Sequence, residues 1–338
     1  MKILVTGGTG MLGSAIIRLY HQEHELHFIG RNAAIVQQLS AKYPVTGHVA
    51  DLCDLDAISK IFADIEQDKS NDEQIDAIIH CAALSSPWGA YQAFEQGNVQ
   101  ATRNLLAVAE QYNIQTFVHI STTSVYFDFT DRWNITEQDP VASPFCNDYA
   151  ETKYLAEQAV LASSNHSVIL RPRGIFGPND QAIVPRLLAA IKGRYLLLPS
   201  AKNPVLDLTY VDNVATAALL ACAKGPSLPK GEIFNITNGE PMPINSVLVA
   251  LLAALGYNAR LVTLPYALIA PIIALNEFIR RRLAHRPEPK ITVYGAGLLH
   301  FHQTLNIEKA NQLLGYQASV SITEGIRRYV DWTKNKTV

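Results

Sequence analysis

A chain of 338 residues, 48% of them hydrophobic, can bury a full core without metal or disulfide staples, and it suits two domains or one domain with a lobe. Its 28 basic and 30 acidic residues leave a net charge of -2, with no basic excess to grip a phosphate backbone, so nucleic acid is not an expected partner. Ordinary contents of glycine (19) and proline (17) exclude fibrous and low-complexity classes.

Through the first half, short β-branched runs alternate with helical stretches. Lys2–Thr6, Glu25–Gly30, Val45–Ala50, Asp76–His80, Thr116–Ser121 and Ser167–Pro172 read as strands. Met11–Tyr20, Ala33–Ala41, Leu55–Glu66, Val99–Tyr112 and Asp148–Ser163 read as helices. Alternation at this spacing predicts right-handed crossovers and a parallel sheet with helices on both faces. The run D-A-I-I-H-C-A-A has no polar alternation before His80, as expected of a strand buried on both faces. After Arg171, the stretch R-P-R-G-I-F-G-P-N-D concentrates proline and glycine and reads as a boundary or active-site loop. Ile183–Lys192 reads as a helix and Gly231–Thr237 as one more buried strand of the first sheet. Asn306–Leu314 and Ile322–Lys334 read as terminal helices. The expected division is a first domain of 1–172 plus about 206–237, a discontinuous second lobe of about 173–205 and 238–305, and C-terminal helices over 306–338.

Leu261–Leu275 is a nearly unbroken apolar run that precedes Arg280, Arg281 and Arg282. It is shorter than the ~18 apolar residues of a membrane span and contains Pro265 and Pro271. It reads either as a buried helix of the second lobe or as a greasy cap over an apolar substrate, and the segment 261–282 also suits peripheral contact with a membrane. Cys53, Cys81, Cys146 and Cys222 are scattered without a C-x-x-C pair. No metal site or disulfide framework is expected, only buried free thiols in a reducing compartment. The apolar run before Gly7 is too short for a signal peptide, so the expected location is the cytoplasm.

The chemistry begins at Thr6-Gly7-Gly8-Thr9-Gly10-Met11-Leu12-Gly13, between the first strand and the first helix. Gly7 permits a tight turn, Gly10 lets the backbone approach a pyrophosphate, and Gly13 lets the helix pack on the strand. Free N–H groups of Met11, Leu12 and the residues beside them face the phosphates with the positive end of the helix dipole. Strand, loop and helix in this order indicate a dinucleotide-binding first domain. The second strand ends in Gly30-Arg31, where a carboxylate would select NAD. An arginine there can pair with a 2′-phosphate, which favours NADP over NAD. Asp51 and Leu52 end the third strand, where the carboxylate can accept from an adenine amino group and the leucine can flank the ring. Asp51 can equally cap the helix that follows. Tyr149 and Lys153 stand four apart on a helix, phenol beside ammonium, so the cation can draw the phenol pKa down from ~10 and make Tyr149 a general acid/base. Ser121, Thr122, Thr123 and Ser124 form a hydroxyl cluster at the carboxyl end of the fifth strand, the edge where ligands bind in such sheets.

Together the glycine loop, His80-Cys81-Ala82-Ala83, S-T-T-S-V-Y, Y-x-x-x-K and L-R-P-R-G-I-F-G-P resemble the extended short-chain dehydrogenase/reductase family, over nearly the whole chain. The similarity is greatest to its 3β-hydroxysteroid dehydrogenase-like branch, which also shares D-L-T-Y-V-D-N (Asp207–Asn213), Gly239-Glu240-Pro241, Asn306–Tyr316 and the S-S-P-W-G-A-Y loop. The resemblance implies a Rossmann-type, doubly wound, seven-stranded parallel sheet with a smaller α+β substrate lobe. It makes Tyr149 the catalytic acid/base and has Lys153 lower its pKa and hold the nicotinamide ribose. Thr122 would bond the reacting oxygen, with Thr123 beside it toward the substrate. Ala82, Ala83 and Pro172 would line the cofactor, and Asn98 would fill the proton-relay position. Gly174 stands where sugar-nucleotide members carry a nucleotide-contacting Asn, and Trp88 and Tyr91 offer aromatic surface near the pocket mouth. The implied activity is NAD(P)-dependent interconversion of a secondary alcohol and a ketone on a sterol-like or long-chain β-keto or β-hydroxy acid substrate. Alternatives are a sugar-nucleotide epimerase or dehydratase with retained NAD, and a non-catalytic NADP sensor. The family also suggests a homodimer through Val99–Tyr112 and Asp148–Ser163.

Overall fold

Seven parallel strands form the central sheet of the computed structural model, which describes residues 1–67, 74–283 and 285–336. They are β1 (Lys2–Thr6), β2 (Glu25–Gly30), β3 (Thr46–Val49), β4 (Ala77–His80), β5 (Thr116–Ile120), β6 (Ser167–Pro172) and β7 (Glu232–Ile236). Their spatial order, 3-2-1-4-5-6-7, reverses direction between β1 and β4. Ligands of open α/β sheets bind at such a switch point, outside the carboxyl ends of the strands. The register sets Ile3 and Val5 beside Leu26 and Phe28 on one side and beside Ala77 and Ile79 on the other.

The even apolarity of the strands has a direct cause. Ile3, Val5, Phe28, Ile79 and Val118 pack into one core layer, and Leu4, Ile29, Ile78 and Phe117 point into the other. Neighbours on one strand thus serve opposite faces, and neither face can be polar. Helices α1 (Met11–Tyr20) and, later in the chain, Val211–Lys224 cover the first face. After α2 (Ala33–Lys42), α3 (Leu55–Gln67) and α4 (residues 91–111) cover the second. Helix α4 starts eight residues before the expected Val99 and carries a π-helical stretch over Glu95–Gln100. Gly97 and Asn98 look like breakers in the sequence, yet here they widen the helix without ending it. Helix α5 (Asp148–Ala162) follows, capped by the Asn147 side chain on the Ala150 N–H at 2.8 Å.

Beyond β6 the chain builds smaller sheets. Val205–Leu206 and Gln303–Leu305 pair, with Met242–Pro243 on one edge and Arg132–Ile135 on the other. The last strand comes from the segment between β5 and α5, which the sequence reading places in the first domain. The helices here are α6 (Val184–Ala189), α7 (Val211–Lys224), α8 (Ile244–Ala254), α9 (Tyr266–Arg282) and α10 (Val293–Leu298), and α11 (Ile322–Lys336) closes the chain. Two expected helices are shorter: Ile183–Lys192 yields α6 and then a strand at Ile191–Lys192, and Asn306–Leu314 yields a helical stretch over Ala310–Leu314.

The apolar run Leu261–Leu275 is not one buried helix. Its start belongs to the strand Arg260–Thr263 and the rest to α9, in which Ile273 is the buried residue. Leu268, Ile272, Leu275 and Ile279 lie 50–69% exposed at helical spacing, an apolar stripe turned outward. Hydrophobicity marks a face that seeks cover without saying which way it turns. No helix among the described residues is long and apolar enough to cross a membrane. The thiols also depart from expectation: all four are free, but Cys53 is exposed and only Cys222 is fully buried.

Candidate active site

At the switch point the glycine loop turns back against the end of β4. Gly7 has φ +68°, and a Cβ there would lie 2.8 Å from the Ala82 nitrogen. A Cβ on Gly13 would lie 2.4 Å from the Gly7 oxygen, so helix and loop pack as closely as backbones allow. Gly10 is exposed at the N-cap of α1, with no side-chain cap and no acidic residue in the first turn. The N–H groups of Met11 and Leu12 are therefore left for an external acceptor. This cradle, which side chains would fill, fits a dinucleotide pyrophosphate. Arg31 is exposed just past β2, and Ala82 and Ala83 lie along the loop after β4. Pro172 is buried at the end of β6. Asp51 is exposed and accepts the Cys53 N–H at 2.9 Å. It does not cap α3; Asp54, one residue ahead of the helix, does so through the Ala57 N–H at 3.0 Å. Leu52 is buried, its carbonyl held by Asn104.

Tyr149, Lys153 and Glu157 follow one another at four-residue spacing along α5, on the face turned to β5 and β6. The Tyr149 phenol lies close to the hydroxyls of Ser85, from the loop after β4, and Thr122, just past β5. Burial pushes the phenol pKa up, and these two hydroxyls draw it partly back. Lys153 does not take the expected part in this, because its ammonium is turned toward β5. There it donates to the Ile120 carbonyl at 2.7 Å and meets His119 Nε2 at 3.2 Å. Burial lowers the Lys153 pKa to about 8. His119 and His80 are kept neutral by burial and by the Lys153 charge, with His80 lowered to about 3. Thr122 Oγ1 donates to Ser124 Oγ at 3.0 Å, and Ser124 Oγ meets the Tyr294 hydroxyl at 2.7 Å. A row of hydroxyls thus runs from Tyr149 through Thr122 and Ser124 to Tyr294.

Below this row, Glu157 is fully buried and takes a bidentate pair from Arg171, Nε at 2.9 Å and Nη2 at 2.5 Å. Ser121 also donates to Glu157, and Arg171 Nη1 donates to the Tyr126 hydroxyl at 2.6 Å. Asn98, on the π-helical stretch, accepts the Leu84 N–H at 2.7 Å and donates to Thr152 at 3.1 Å. Its carbonyl accepts from Thr102 at 2.6 Å. These bonds fix the loop that carries Ser85.

A family model described as "NAD dependent epimerase/dehydratase family" matches residues 3–237, well over half of the chain. The chain belongs to this family, the extended short-chain dehydrogenases/reductases. Within it, the chain is 36% identical to the 2-alkyl-3-oxoalkanoate reductase of Stenotrophomonas maltophilia, over 97% of this chain and 98% of that protein. It is 31% identical to a decarboxylating sterol-4-alpha-carboxylate 3-dehydrogenase of Candida albicans, over 98% of this chain and 97% of that protein. Both sit in the 3β-hydroxysteroid dehydrogenase-like branch. A UDP-glucuronic acid 4-epimerase from Bacillus cereus, solved with UDP-glucuronic acid and NAD, superposes with a TM-score of 0.74 at 23% identity, over 99% of this chain and all of that one. That likeness concerns the fold.

In this member of the epimerase/dehydratase family, the substrate side differs from its sequence reading in several places. Trp88 is buried, its indole N–H donating to the Arg286 carbonyl at 2.8 Å and its ring 4.8 Å from the Arg281 guanidinium. Arg281 also pairs with Asp148, next to Tyr149, at 3.5 Å. The end of α9 is thereby fastened over the start of α5, and Trp88 is the pad between them. Tyr91 is exposed at the start of α4. Thr123 is buried, with its hydroxyl 3.5 Å from the Pro172 carbonyl. Gly174 has φ +49°, and a Cβ there would lie 2.8 Å from Leu208. A φ of this kind suits asparagine as well as glycine (Asn134 has φ +51°), so the backbone itself does not exclude the Asn that sugar-nucleotide members carry; Gly174 leaves that place without a side chain. Sequence reasoning missed Ser85 and Tyr294 beside the site. Ser85 lay inside a quoted motif, but no local signal marks Tyr294, which α10 delivers from more than a hundred residues downstream.

Proposed function

We propose that this chain is an NAD(P)-dependent oxidoreductase that interconverts a secondary alcohol and a ketone on a hydrophobic substrate, either sterol-like or a long-chain β-keto or β-hydroxy acid. The observation that carries this reading is the Tyr149 phenol, close to Ser85 and Thr122, which follow β4 and β5 at the same carboxyl edge of the sheet as the glycine cradle after β1. The two relatives named above act, by their names, on an alkylated oxo acid and a sterol carboxylate. When bound, a nicotinamide supplies or receives the hydride. Tyr149 gives its proton to the carbonyl oxygen in reduction and takes it back in oxidation, while Thr122 bonds the same oxygen. Lys153 holds the ribose, and Gly7, Gly10, Met11, Leu12 and Gly13 hold the phosphates. Asp51, Leu52, Ala82, Ala83 and Pro172 complete the cofactor side. Thr123, Tyr91, Trp88 and Gly174 belong to the substrate side. Arg31, with no carboxylate beside it at the end of β2, favours NADP over NAD. The working division is a dinucleotide-binding domain of 1–172 plus about 206–237, a substrate lobe of about 173–205 and 238–305, and C-terminal helices over 306–338, in a cytoplasmic enzyme.

The test is a series of ketones of increasing chain length, run with NADPH and with NADH beside a panel of UDP- and dTDP-sugars. Each buried methylene should add about 0.8 kcal/mol of binding. NADPH should be preferred by about one to two decades, a preference that Arg31→Ala abolishes. A flat response to length, or turnover of a sugar nucleotide with tightly retained NAD, would instead select the epimerase reading.

The outward apolar stripe of α9 and its arginine end extend the proposal to peripheral contact with an anionic membrane, and α4 with α5 to a homodimer. Sedimentation with and without anionic vesicles reads both. Co-sedimentation that Ile272→Glu abolishes is the expected result, and a monomer that ignores vesicles refutes both parts.

A further inference from the structure

Two buried histidines face each other across neighbouring strands, His80 at the end of β4 and His119 on β5, with their rings 5.4 Å apart. His80 is fully partnered. The Thr102 hydroxyl donates to the Asn98 carbonyl, so its oxygen accepts the His80 Nε2 proton at 2.9 Å. His80 Nδ1 is then an acceptor and takes the Thr6 hydroxyl at 2.7 Å. His119 is arranged the other way. Its Nε2 lies 3.2 Å from Lys153 Nζ, and an ammonium can only donate, so Nε2 accepts and the ring proton sits on Nδ1. That Nδ1 is buried with no partner among the described residues. A packed interior rarely leaves a donor unmet, and here it follows from turning Nε2 to the lysine.

Lys153 Nζ also donates to the Ile120 carbonyl at 2.7 Å. Two of its three protons are thus committed to β5, and one remains. We infer that His119 is a positioning residue for the reaction: with the Ile120 carbonyl it seats the Lys153 ammonium and leaves one N–H of it for the ribose of a nicotinamide cofactor. This inference deepens the oxidoreductase reading above and rests on it. The seat makes cofactor binding depend on pH. Below about 8 the lysine is an ammonium with a proton to spare. Above that it is an amine with two protons, and the two acceptors on β5 account for both. The other groups that face Lys153 hold their state through this range. Burial keeps His80 and His119 neutral and pushes the Cys81 thiol up to about 12, while Glu157 stays paired with Arg171. Tyr149, one turn away on α5, stays protonated.

Fluorescence titration with NADPH, without substrate and from about pH 6 to about pH 9.5, tests the seat. In the wild-type protein, affinity should fall with a midpoint near about 8. His119→Phe keeps a ring and removes the acceptor, so the ammonium gives up its proton more readily. The midpoint should drop by about one to two pH units, and affinity near pH 8 by about 10-fold. His119→Gln returns an acceptor at the place of Nε2 and should bring most of the midpoint back. The titration of NADPH itself is common to all three proteins, so differences between the curves belong to the chain. In ketone reduction the loss should appear in KM for NADPH, with kcat at saturating cofactor little changed. ¹⁵N spectra of the histidine rings need no variant: a neutral ring with its proton on Nδ1 should shift with a midpoint near about 8 as Lys153 titrates. The assignment is overturned by the lack of such a ring, by wild-type affinity that is flat with pH, by a midpoint that His119→Phe leaves in place, or by a loss that His119→Gln does not recover. A His119-dependent midpoint with no turnover of any ketone leaves the seat standing and removes the oxidoreductase reading. Turnover with a midpoint indifferent to His119 does the reverse.

Discussion

Tyr149→Phe is expected to lower kcat by about 10²–10⁴-fold, the usual worth of a general acid/base, while cofactor binding persists. The phenol, close to Ser85 and Thr122, is the proposed proton carrier, and Phe keeps the ring while deleting the oxygen. Because burial raises its pKa, Tyr149 is protonated through the neutral range. It can give a proton to a ketone at once, but must lose one before it can oxidise an alcohol. Reduction should therefore hold steady to alkaline pH, whereas alcohol oxidation should rise with pH, and both dependences should vanish in the Phe variant. Steady-state rates in each direction, with a fluorescence titration of the reduced cofactor, check this. A Phe variant that keeps a third of the wild-type rate would remove Tyr149 from the mechanism.

Glu157→Ala should cost about 3–5 kcal/mol of stability, because it strands the Arg171 guanidinium in a dry interior. The carboxylate takes both ends of the arginine fork and the Ser121 hydroxyl, so three donors lose their acceptor at once. Removing both charges, as Glu157→Met with Arg171→Met, should recover most of the loss, since apolar replacements avoid the desolvation cost of the pair. Denaturant midpoints of the single and double variants decide the matter. A single variant as stable as wild type would mean that water reaches Arg171 and that the pair is not dry.

How far these features could be read from sequence depended on how locally each is encoded. The glycine loop and the Tyr149–Lys153 pair were legible because their spacing alone places them, on a strand-to-helix turn and on one helical face. The seven strands were legible because both faces of the sheet are apolar, so continuous runs such as that ending at His80 could hardly belong elsewhere. Contacts between distant segments were not. Lys153 stands one turn from Tyr149, as the spacing says, but the carbonyl of Ile120 and the ring of His119 decide where its ammonium points. Tyr294 and Ser85 reach the site from loops and helices whose placement is a tertiary fact. Asp51 and Asp54 are equally good caps on paper, and only the loop path tells them apart. The apolar run of α9 carried its hydrophobicity openly but not its direction.

The pairing of Arg132–Ile135 with Gln303–Leu305 has a consequence for how such an enzyme can change over generations. A segment from the middle of the nucleotide half is stitched into a sheet whose other strands arrive much later, and β7 then returns to the first sheet before α9 and α10 are made. A single crossover between two genes would sever one of these seams, so the lobe over the site cannot be traded whole, as a cassette. New substrates must be reached by point changes within α9, α10 and the loops they cover, with both halves of the chain inherited together.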